Sequence, residues 1–530
     1  MAKTFKPTDE QVRAMDLAGR GDSLKVSAFA GAGKTSTLAS ISKALGYKRG
    51  MYLAFNKAIA TEAKGKLSKN CSARTFHSLA FREFGVQFNG GQLSQRLTSR
   101  HVVDRLCVQS ASFRGDALSA QMIANAAMMT VSAFCRTTDH ELSAKHFRSD
   151  LRIDTDTFQG RDLDRMFKRL VIPYAQDLWR LMKEPGDFPT THDVYLKLYA
   201  MSKPTIPADF ILFDEAQDAD PLMLGILKNQ NTQVIYVGDR WQQIYGWRGA
   251  VNAMQTIETD SEAHLTQSFR FGPEIAAAAS EVLHYMGEHR SIRGNPDKDS
   301  RMAKVARPDA IVCRTNAVAA DYFLKEIRPG RRIATTNLHR VNTFLDTVIN
   351  LRDGKKARGE YALFGTEAEL EEYADSDAGG DIKPMFKMLE NYGDDPHWIR
   401  KTLSMAVPLT DKNIDLVITT GHQAKGLEWD KIKLPHDFKT EIKQNKEGEE
   451  VPIPEEELRL LYVSMTRGQS AVDMSAVNMD FLGEAWAPFT PEGKSQGKGF
   501  RAETGPKRGR SEDQLDDLEA APGTQASLGL

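Results

Sequence analysis

The chain has 530 residues, enough for about three to four domains that each bury a core of their own. It carries 70 Lys and Arg residues against 71 Asp and Glu residues, for a net charge of −1. A nucleic-acid partner would therefore have to bind in a local groove rather than on a generally basic surface. No export signal opens the chain and no stretch approaches the roughly 18 apolar residues of a membrane span, so we expect neither. The four cysteines lack paired spacing, which argues against a zinc site or a disulfide framework and indicates a reducing compartment.

The first predicted element is a helix that opens at residues 7–11, PTDEQ, with Thr8 or Asp9 as its N-cap. Gln11 lies in its first turn and carries an amide, which offers one donor beside one acceptor to the edge of an adenine base. Taken alone, the residue favours the simpler interpretation of a glutamine on a helix surface.

The strongest local signal is the segment AFAGAGKT at residues 28–35, which follows an apolar run and precedes a helical pattern. Strand, Gly-rich loop and helix are together the setting of a phosphate-binding loop. Lys34 can reach the β- and γ-phosphates of a nucleotide, and Thr35 offers a hydroxyl to Mg²⁺. Ala28 stands where the motif has its first glycine, and a Gly-rich turn that opens an ordinary helix is the alternative.

The segment predicts ATP and Mg²⁺ as cofactors. Its glycines let the backbone turn tightly and point N–H groups at phosphate oxygens, where the helix N-terminus adds partial positive charge. The residues expected around the phosphates are Ala30, Gly31, Ala32, Gly33, Lys34, Thr35 and Ser36.

Two further apolar runs, at residues 51–55 and 72–76, are predicted strands. Phe55 and His77 then lie near strand ends, where open α/β sheets bind ligands, and Lys57 follows the first of these ends. Aromatic rings at such ends stack nucleic-acid bases and a lysine holds phosphates, although core packing is the usual fate of a lone phenylalanine.

Residues 80–205 are helical and poor in strands, which predicts an inserted helical domain. An apolar strand at residues 210–213 follows, and it ends directly in Asp214 and Glu215. A nucleotide hydrolase needs this pattern, because Asp214 can hold Mg²⁺ and Glu215 can take a proton from the attacking water. A capped helix start is the alternative.

The next strand, residues 233–237, leads into GDRWQQIYGWRGA at residues 238–250. Gln242 in this loop can sense the γ-phosphate, and Trp247 offers a flat face to a base. Residues 265–270, LTQSFR, then place an aromatic side chain beside an arginine.

The second half repeats the α/β pattern without a phosphate loop of its own. Short strands are predicted at residues 310–313, 332–335 and 415–420, whereas residues 340–405 are mixed and polar. The last strand leads to GHQAKGLEWD at residues 421–430, and a helix start at residues 455–461 precedes YVSMTRG. Beyond about residue 488 the chain is Gly-, Pro- and Lys-rich and then acidic, which predicts disorder.

These motifs, in this order and spacing, resemble those of the superfamily 1 helicases of the UvrD/Rep/PcrA type. The segment GHQAKGLEWD and the short chain are also similar to the F-box DNA helicase branch and to phage-encoded relatives. The resemblance covers nearly all of residues 1–485. About seven separate motifs match the family in order and spacing. Chance could produce one such match but not the whole series.

The resemblance implies an α/β fold, in which two RecA-like parallel-sheet domains flank an ATP cleft. The first carries a helical insertion and the second a small one. By position these are 1–80 and 206–270 for the ATP-binding domain 1A, 81–205 for the helical insertion 1B, 271–335 and 411–487 for domain 2A, 336–410 for a small 2B-like insertion, and 488–530 for a disordered tail.

The same resemblance implies the roles of individual residues. It assigns adenine recognition to Gln11, adenine stacking to Phe269 in place of the usual tyrosine, and the ribose contact to Glu428. Catalysis is assigned to Lys34, Asp214, Glu215, Gln242, Arg270 and Arg467, of which the two arginines reach the γ-phosphate from across the cleft. Thr35 and Asp214 are the implied metal ligands. The positions that match DNA contacts are Phe55, His77, Trp247 and Arg248, to which we add Lys57 and His422.

Two departures from the family pattern matter. The segment between Arg270 and Gly421 is much shorter than in the bacterial enzymes, so the domain inserted there must be small and its control of unwinding absent or altered. The sequence at residues 421–425, which contains His422, also replaces the usual Ser/Thr-rich version of this motif.

The resemblance implies an ATP-dependent helicase that moves 3′ to 5′ on single-stranded DNA, unwinds duplex junctions and acts in replication, recombination or repair. A translocase that strips recombinase filaments with little unwinding is the alternative. A nucleotide-gated DNA-binding protein without turnover would not need Lys34, Glu215, Arg270 and Arg467 together. RNA stays open as a substrate, since no residue here reads a 2′-hydroxyl.

The last six residues, 525–530, resemble the short peptide by which bacterial replication and repair proteins dock on the sliding clamp. Leu528 and Leu530 would anchor it and Gln525 would bind the rim of a groove. An ordinary frayed terminus is the alternative. We expect the protein to act in the cytoplasm of a bacterium or a phage-infected host, in association with the nucleoid.

Overall fold

The computed structural model describes residues 6–54, 57–88, 92–93, 95–113, 116–246, 252–375, 379–445, 448–490 and 494–495. Within these ranges the strands are β1 (Leu24–Ala28), β2 (Gly50–Ala54), β3 (Cys71–Thr75), β4 (Ala111–Phe113), β5 (Asp116–Leu118), β6 (Phe210–Phe213), β7 (Gln233–Gly238), β8 (Ser261–Leu265), β9 (Arg301–Met302), β10 (Ala310–Cys313), β11 (Ile333–Thr335), β12 (Leu416–Thr420), β13 (Trp429–Lys433), β14 (Lys443–Gln444), β15 (Glu450–Val451) and β16 (Gly468–Asp473).

The α-helices of the same ranges are α1 (Asp9–Gly19), α2 (Lys34–Ala44), α3 (Lys57–Lys64), α4 (Phe76–Glu83), α5 (Ser99–Leu106), α6 (Ala120–Cys135), α7 (Phe158–Met182), α8 (His192–Met201), α9 (Pro221–Lys228), α10 (Ala253–Thr256), α11 (Pro273–Tyr285), α12 (Asn316–Glu326), α13 (His339–Arg352), α14 (Glu367–Asp375), α15 (Lys383–Asn391), α16 (Pro396–Leu403) and α17 (Glu455–Met465). No helix in this part of the chain is long and apolar enough to cross a bilayer.

The first α/β domain is built on a six-stranded parallel sheet in the order β3-β2-β6-β7-β1-β8. Every residue of β2 and β6 is buried, as expected for a parallel sheet with helices on both faces. Tyr52 and Leu212 face a core shared with α1, α2 and α3, whereas Leu53 and Phe213 face a core shared with α4, α8 and α9. Because all the strands of this sheet run in the same direction, the loops that follow them lie at one edge of the sheet.

The second α/β domain has a six-stranded parallel sheet in the order β11-β12-β10-β13-β16-β9. The predicted fold class, two parallel-sheet domains with an insertion in each, is thereby confirmed. One apolar cluster crosses the junction between the domains, since it includes Phe29 and Trp241 of the first and Leu460 and Tyr462 of the second. The two domains are thus packed together along the predicted cleft.

The insertions differ in how they are stabilised. The helical insertion, between β3 and β6, has a separate core made by α5, α6 and α7, with Phe134, Phe167 and Leu178 fully buried. The second insertion, between β11 and β12, contains α13 to α16 and shares one core with α12 and the second sheet, to which Phe344, Phe386 and Ile418 all belong. The mixed sequence of this region therefore forms short helices laid on the sheet.

Arg152 joins the two insertions directly. Its guanidinium donates to Oε2 of Glu360 at 2.9 and 3.0 Å and to both carboxylate oxygens of Asp381 at 2.8 and 3.0 Å. It also lies over the ring of Tyr361 at 5.2 Å. Leu363 of the second insertion packs against the core of the helical insertion, so the contact combines charge and apolar burial.

The predicted disordered tail, 488–530, lies largely outside the described residues. Of its described part, Lys494 donates to the carbonyl of Met302 at 2.7 Å and pairs with Glu274, which attaches this position to the second α/β domain.

Candidate nucleotide site and nucleic-acid groove

The phosphate loop runs from β1 to α2, as the strand–loop–helix pattern predicts. Gly31 and Gly33 have φ of +72° and +74°, a backbone region that favours glycine. A Cβ on Gly31 would also lie 2.5 Å from Oγ of Ser268 and 2.7 Å from Cβ of Arg270. The two glycines are thus required by both backbone conformation and space, and N–H groups of the loop and of the α2 N-terminus are available to an anion.

Asp214 and Glu215 follow β6 at the carboxyl edge of the sheet. Oδ2 of Asp214 accepts hydrogen bonds from the Thr35 hydroxyl at 3.1 Å and from the Tyr52 hydroxyl at 2.5 Å. Nζ of Lys34 lies 3.6 Å from Oε1 of Glu215. The structure therefore brings the four predicted residues Lys34, Thr35, Asp214 and Glu215 together.

The environment separates the pKa values of the two acids. Burial, and next the charge of Glu215, raise the pKa of Asp214. Burial also acts to raise the pKa of Glu215, but the charges of Lys34 and Lys425 outweigh it and hold that pKa below its usual range. Glu215 has a φ of +53°, a backbone conformation that is costly for a non-glycine residue.

The donor set at Thr35 and Asp214 suits Mg²⁺. The two oxygens are hard ligands 3.1 Å apart at the phosphate loop, and Mg²⁺ typically takes one or two protein ligands and fills its remaining positions with phosphate oxygens and water. Among the described residues, no group of three or more His, Cys, Asp or Glu side chains forms a metal cage elsewhere.

Gln11 and Phe269 lie together beside Gly33. A Cβ on Gly33 would be 3.3 Å from Nε2 of Gln11 and 3.3 Å from the Phe269 ring. Gln11 is 1% exposed, and it accepts from the Thr8 N–H at 3.0 Å and donates to Thr37 Oγ1 at 2.9 Å. The interpretation of Gln11 as a surface glutamine is therefore wrong, while Phe269 keeps 38% of its surface open to a base.

The two predicted arginines lie close to each other, since each contacts Thr466. Nε of Arg270 donates to Oε2 of Glu428 at 2.7 Å, and its Nη1 donates to the carbonyl of Thr466 at 2.9 Å. Arg467 is 2% exposed, and its Nη2 lies 3.3 Å from Oε1 of Gln242. Burial, and then the charge of Arg270, lower the pKa of Arg467, so a neighbouring anion would offset the cost of burying this cation.

Two functional-site residues were not predicted. Nζ of Lys425 contacts both carboxylate oxygens of Asp218 at 2.6 and 2.8 Å and donates to the carbonyl of Gln242 at 2.7 Å. The hydroxyl of Tyr462 accepts from the N–H of Ala30 at 3.0 Å and donates to Oδ2 of Asp239 at 3.1 Å.

Both residues belong to the second α/β domain, and both contact the first. Lys425 lies inside the GHQAKGLEWD motif, so the motif itself was the available signal. Tyr462 lies in the apolar second half of helix α17, where the sequence pattern does not distinguish it from a core residue.

A basic groove lies at the carboxyl ends of β2 and β3. It is a cavity of about 620 Å³. Its lining includes Lys57, Arg74, His77, Ser78, Arg82, His192 and Tyr195. Nε2 of His77 lies 3.4 Å from Oδ1 of Asp193, so its ring is held at the rim by the helical insertion. In such a groove the cationic side chains can bind the phosphate backbone of a nucleic acid, and the aromatic rings can stack on its bases.

His422 follows β12 at the corresponding edge of the second sheet. Burial, and then the charge of Arg314, lower the pKa of His422 to about 4, so the imidazole is neutral at neutral pH. Any contact it makes with DNA would be a neutral hydrogen bond rather than an ion pair. The other predicted contacts, Phe55, Trp247 and Arg248, lie outside the described residues.

The chain matches two family models. They are the UvrD/REP helicase N-terminal domain over residues 8–262 and the UvrD-like helicase C-terminal domain over residues 209–479. It is 30% identical over 512 residues to F-box DNA helicase 1 of Gallus gallus, a match that covers 89% of this chain and 49% of that protein.

It is 28% identical over 496 residues to F-box DNA helicase protein 1 of Schizosaccharomyces pombe, which covers 85% of this chain and 55% of that protein. A shorter match, 34% over 131 residues, covers 23% of this chain and 17% of the ATP-dependent DNA helicase PcrA of Staphylococcus epidermidis. The chain thus spans about half the length of the two F-box relatives.

Proposed function

Because the chain belongs to the UvrD-like helicase family, we propose that it is an ATP-driven motor that moves along single-stranded DNA and separates duplex strands. The observation that carries this proposal is a buried site to which both α/β domains contribute. Arg467 and Lys425 of the second domain contact Gln242 and Asp218 of the first. Such a site couples hydrolysis to domain motion, because the cations act on the transition state only when the domains are together.

Within this site the residues divide the chemistry. Lys34 and the loop N–H groups bind the phosphates, and Thr35 and Asp214 would hold Mg²⁺, which neutralises phosphate charge. Glu215 takes the proton of the attacking water.

The remaining groups act at the γ-phosphoryl and on the nucleoside. Gln242 lies beside the γ-phosphoryl position, and the guanidinium groups of Arg270 and Arg467 stabilise the charge that develops there. Gln11 and Phe269 bind adenine, and Glu428, already paired with Arg270, reaches the ribose.

The basic groove at Lys57 and His77 is the proposed binding site for the single strand on the first domain. The edge at His422 is its counterpart on the second domain. Domain motion driven by ATP would then move the strand from one edge to the other. A 3′ to 5′ direction is part of the proposal, and family membership is its support.

The test measures the ATPase rate of the full chain with and without single-stranded DNA, followed by unwinding of duplexes with a 3′ or a 5′ tail. We expect DNA to stimulate hydrolysis and the 3′-tailed duplex to be unwound. Lys34→Ala is the inactive control, because it removes the phosphate-binding charge. Absence of DNA-stimulated hydrolysis in the unmodified protein would overturn the proposal.

The same preparation distinguishes the alternatives. Clearance of recombinase filaments with little strand displacement would identify a protein-stripping translocase, and stimulation by RNA in place of DNA would change the substrate class. Deletion of residues 525–530 tests the proposed clamp partner. We expect it to abolish binding to a purified clamp and to leave hydrolysis unchanged.

A further inference from the structure

Tyr52 is a fully buried tyrosine whose hydroxyl points at the catalytic acids. It lies in the middle of β2 and is 0% exposed, with its ring in the core between the first sheet and helices α1 to α3. Its hydroxyl donates to Oδ2 of Asp214 at 2.5 Å. Packing alone would be satisfied by phenylalanine, so the hydroxyl calls for an explanation of its own.

Three donors hold the Asp214 carboxylate in one orientation. Oδ1 accepts from the N–H of Glu215 at 2.9 Å, and Oδ2 accepts from Thr35 at 3.1 Å and from Tyr52. Of these donors, Thr35 is also the predicted ligand of the cation, and the N–H of Glu215 belongs to the loop that follows β6. Tyr52 belongs to a strand with parallel partners on both sides, which makes it the fixed member of the set.

We propose that Tyr52 is a positioning residue for the divalent cation of the nucleotide, acting through Asp214. The inference rests on the proposed ATP hydrolysis and names one more residue for it. The hydroxyl fixes the plane of the carboxylate, so that Asp214 and Thr35 present their oxygens to one point beside the phosphate loop. Hydrogen-bond partners of metal-binding side chains typically contribute about 10- to 100-fold to metal affinity or activity.

A purely structural role would have a different signature. If the hydroxyl only satisfied a buried carboxylate, its removal would lower the stability of the protein and leave the affinity for the cation unchanged. A positioning role predicts that the affinity for the cation falls, whereas the affinity for metal-free nucleotide stays unchanged.

The experiment compares Tyr52→Phe with Tyr236→Phe in the full chain. Tyr236 is a buried tyrosine of the same sheet, but it lies in the other core, against Phe213, and so controls for loss of a buried hydroxyl. Binding of Mn²⁺ is titrated by electron paramagnetic resonance in the presence of ADP, and ADP affinity is measured separately in EDTA.

We expect Tyr52→Phe to weaken Mn²⁺ binding about tenfold or more and to raise the half-saturating Mg²⁺ concentration for ATP hydrolysis by a similar factor. ADP affinity in EDTA should match that of the unmodified protein, and Tyr236→Phe should behave like the unmodified protein in all three measurements. Turnover at saturating Mg²⁺ should largely recover.

Unchanged Mn²⁺ affinity in Tyr52→Phe overturns the inference. If the unmodified protein with ADP binds no Mn²⁺, the proposed hydrolytic site itself fails, which is a distinct result. If Tyr52→Phe also loses ADP affinity in EDTA, 3-fluorotyrosine is placed at position 52. It keeps the ring and the hydroxyl while changing the donor strength, and an unchanged Mn²⁺ affinity there again overturns the inference.

Discussion

The two α/β domains share an architecture but contribute different groups to the site between them. The first supplies the phosphate loop and the acids Asp214 and Glu215, whereas the second supplies Lys425 and Arg467. Asp214 and Arg467 are buried, and an ion pair between Lys425 and the buried Asp218 joins the two sets. Neither domain therefore holds a complete site. We expect substitutions in the second domain to affect turnover more than nucleotide binding.

Arg467→Ala should give the largest effect and tests this division most directly. We expect turnover to fall by about 10³-fold or more, the usual contribution of an arginine that stabilises a transferring phosphoryl group. ATP affinity, measured with a fluorescent analogue, should change far less. Arg180→Ala, an exposed arginine in the helical insertion, is the matched control. Loss of affinity with turnover kept would make Arg467 a binding residue and contradict the division.

Glu215→Gln tests the contribution of the acids in the first α/β domain. Removal of a general base typically lowers the rate by about 10²- to 10⁴-fold, so we expect a loss in that range in steady-state hydrolysis, with ATP binding kept. Glu62→Gln changes an exposed glutamate of α3 and should be silent. Near-normal turnover in Glu215→Gln would show that another group activates the water.

Lys425→Met leaves the Asp218 carboxylate buried without its cation. Breaking a buried pair in this way typically costs about 3–5 kcal/mol, which we expect in the free energy of unfolding measured by denaturant titration. Adding Asp218→Asn should recover part of the loss. Equal destabilisation in the single and double variants would show that the pair does not couple the domains.

Phe269→Ala should have the smallest effect, since the proposed function assigns Phe269 to the base rather than to the phosphates. We expect ATP binding to weaken by about 1–3 kcal/mol, the value of one base stacked on an aromatic ring. Turnover at saturating ATP should stay close to normal. Affinity unchanged in a direct binding titration would remove Phe269 from the nucleotide site.

Sequence reasoning succeeded where the chemistry is local. The phosphate loop and the Asp214–Glu215 pair each combine a strand, a turn and reactive side chains within a few residues, so the pattern predicts the geometry. Tyr52 and Tyr462 were missed because each is an apolar-pattern residue whose role depends on a partner far along the chain. Gln11 was misread in isolation, because its burial depends on α2, which follows it by more than twenty residues.

The second insertion was hard to predict for a different reason. Its helices α14, α15 and α16 are short, and each buries only a few apolar side chains among polar ones. Their stability comes from the core they share with the second sheet. Helices of this length are marginal in isolation, since tertiary packing supplies most of their stability.

The contact of Arg152 with Glu360 and Asp381 has a mechanical consequence. The covalent link between the two α/β domains is the segment from β8 to α11, and Arg152 adds a second attachment far from it in sequence. Any opening of the nucleotide cleft that separates the two insertions must therefore break the hydrogen bonds of Arg152 as well as the contacts at the cleft itself, such as that between Lys425 and Asp218.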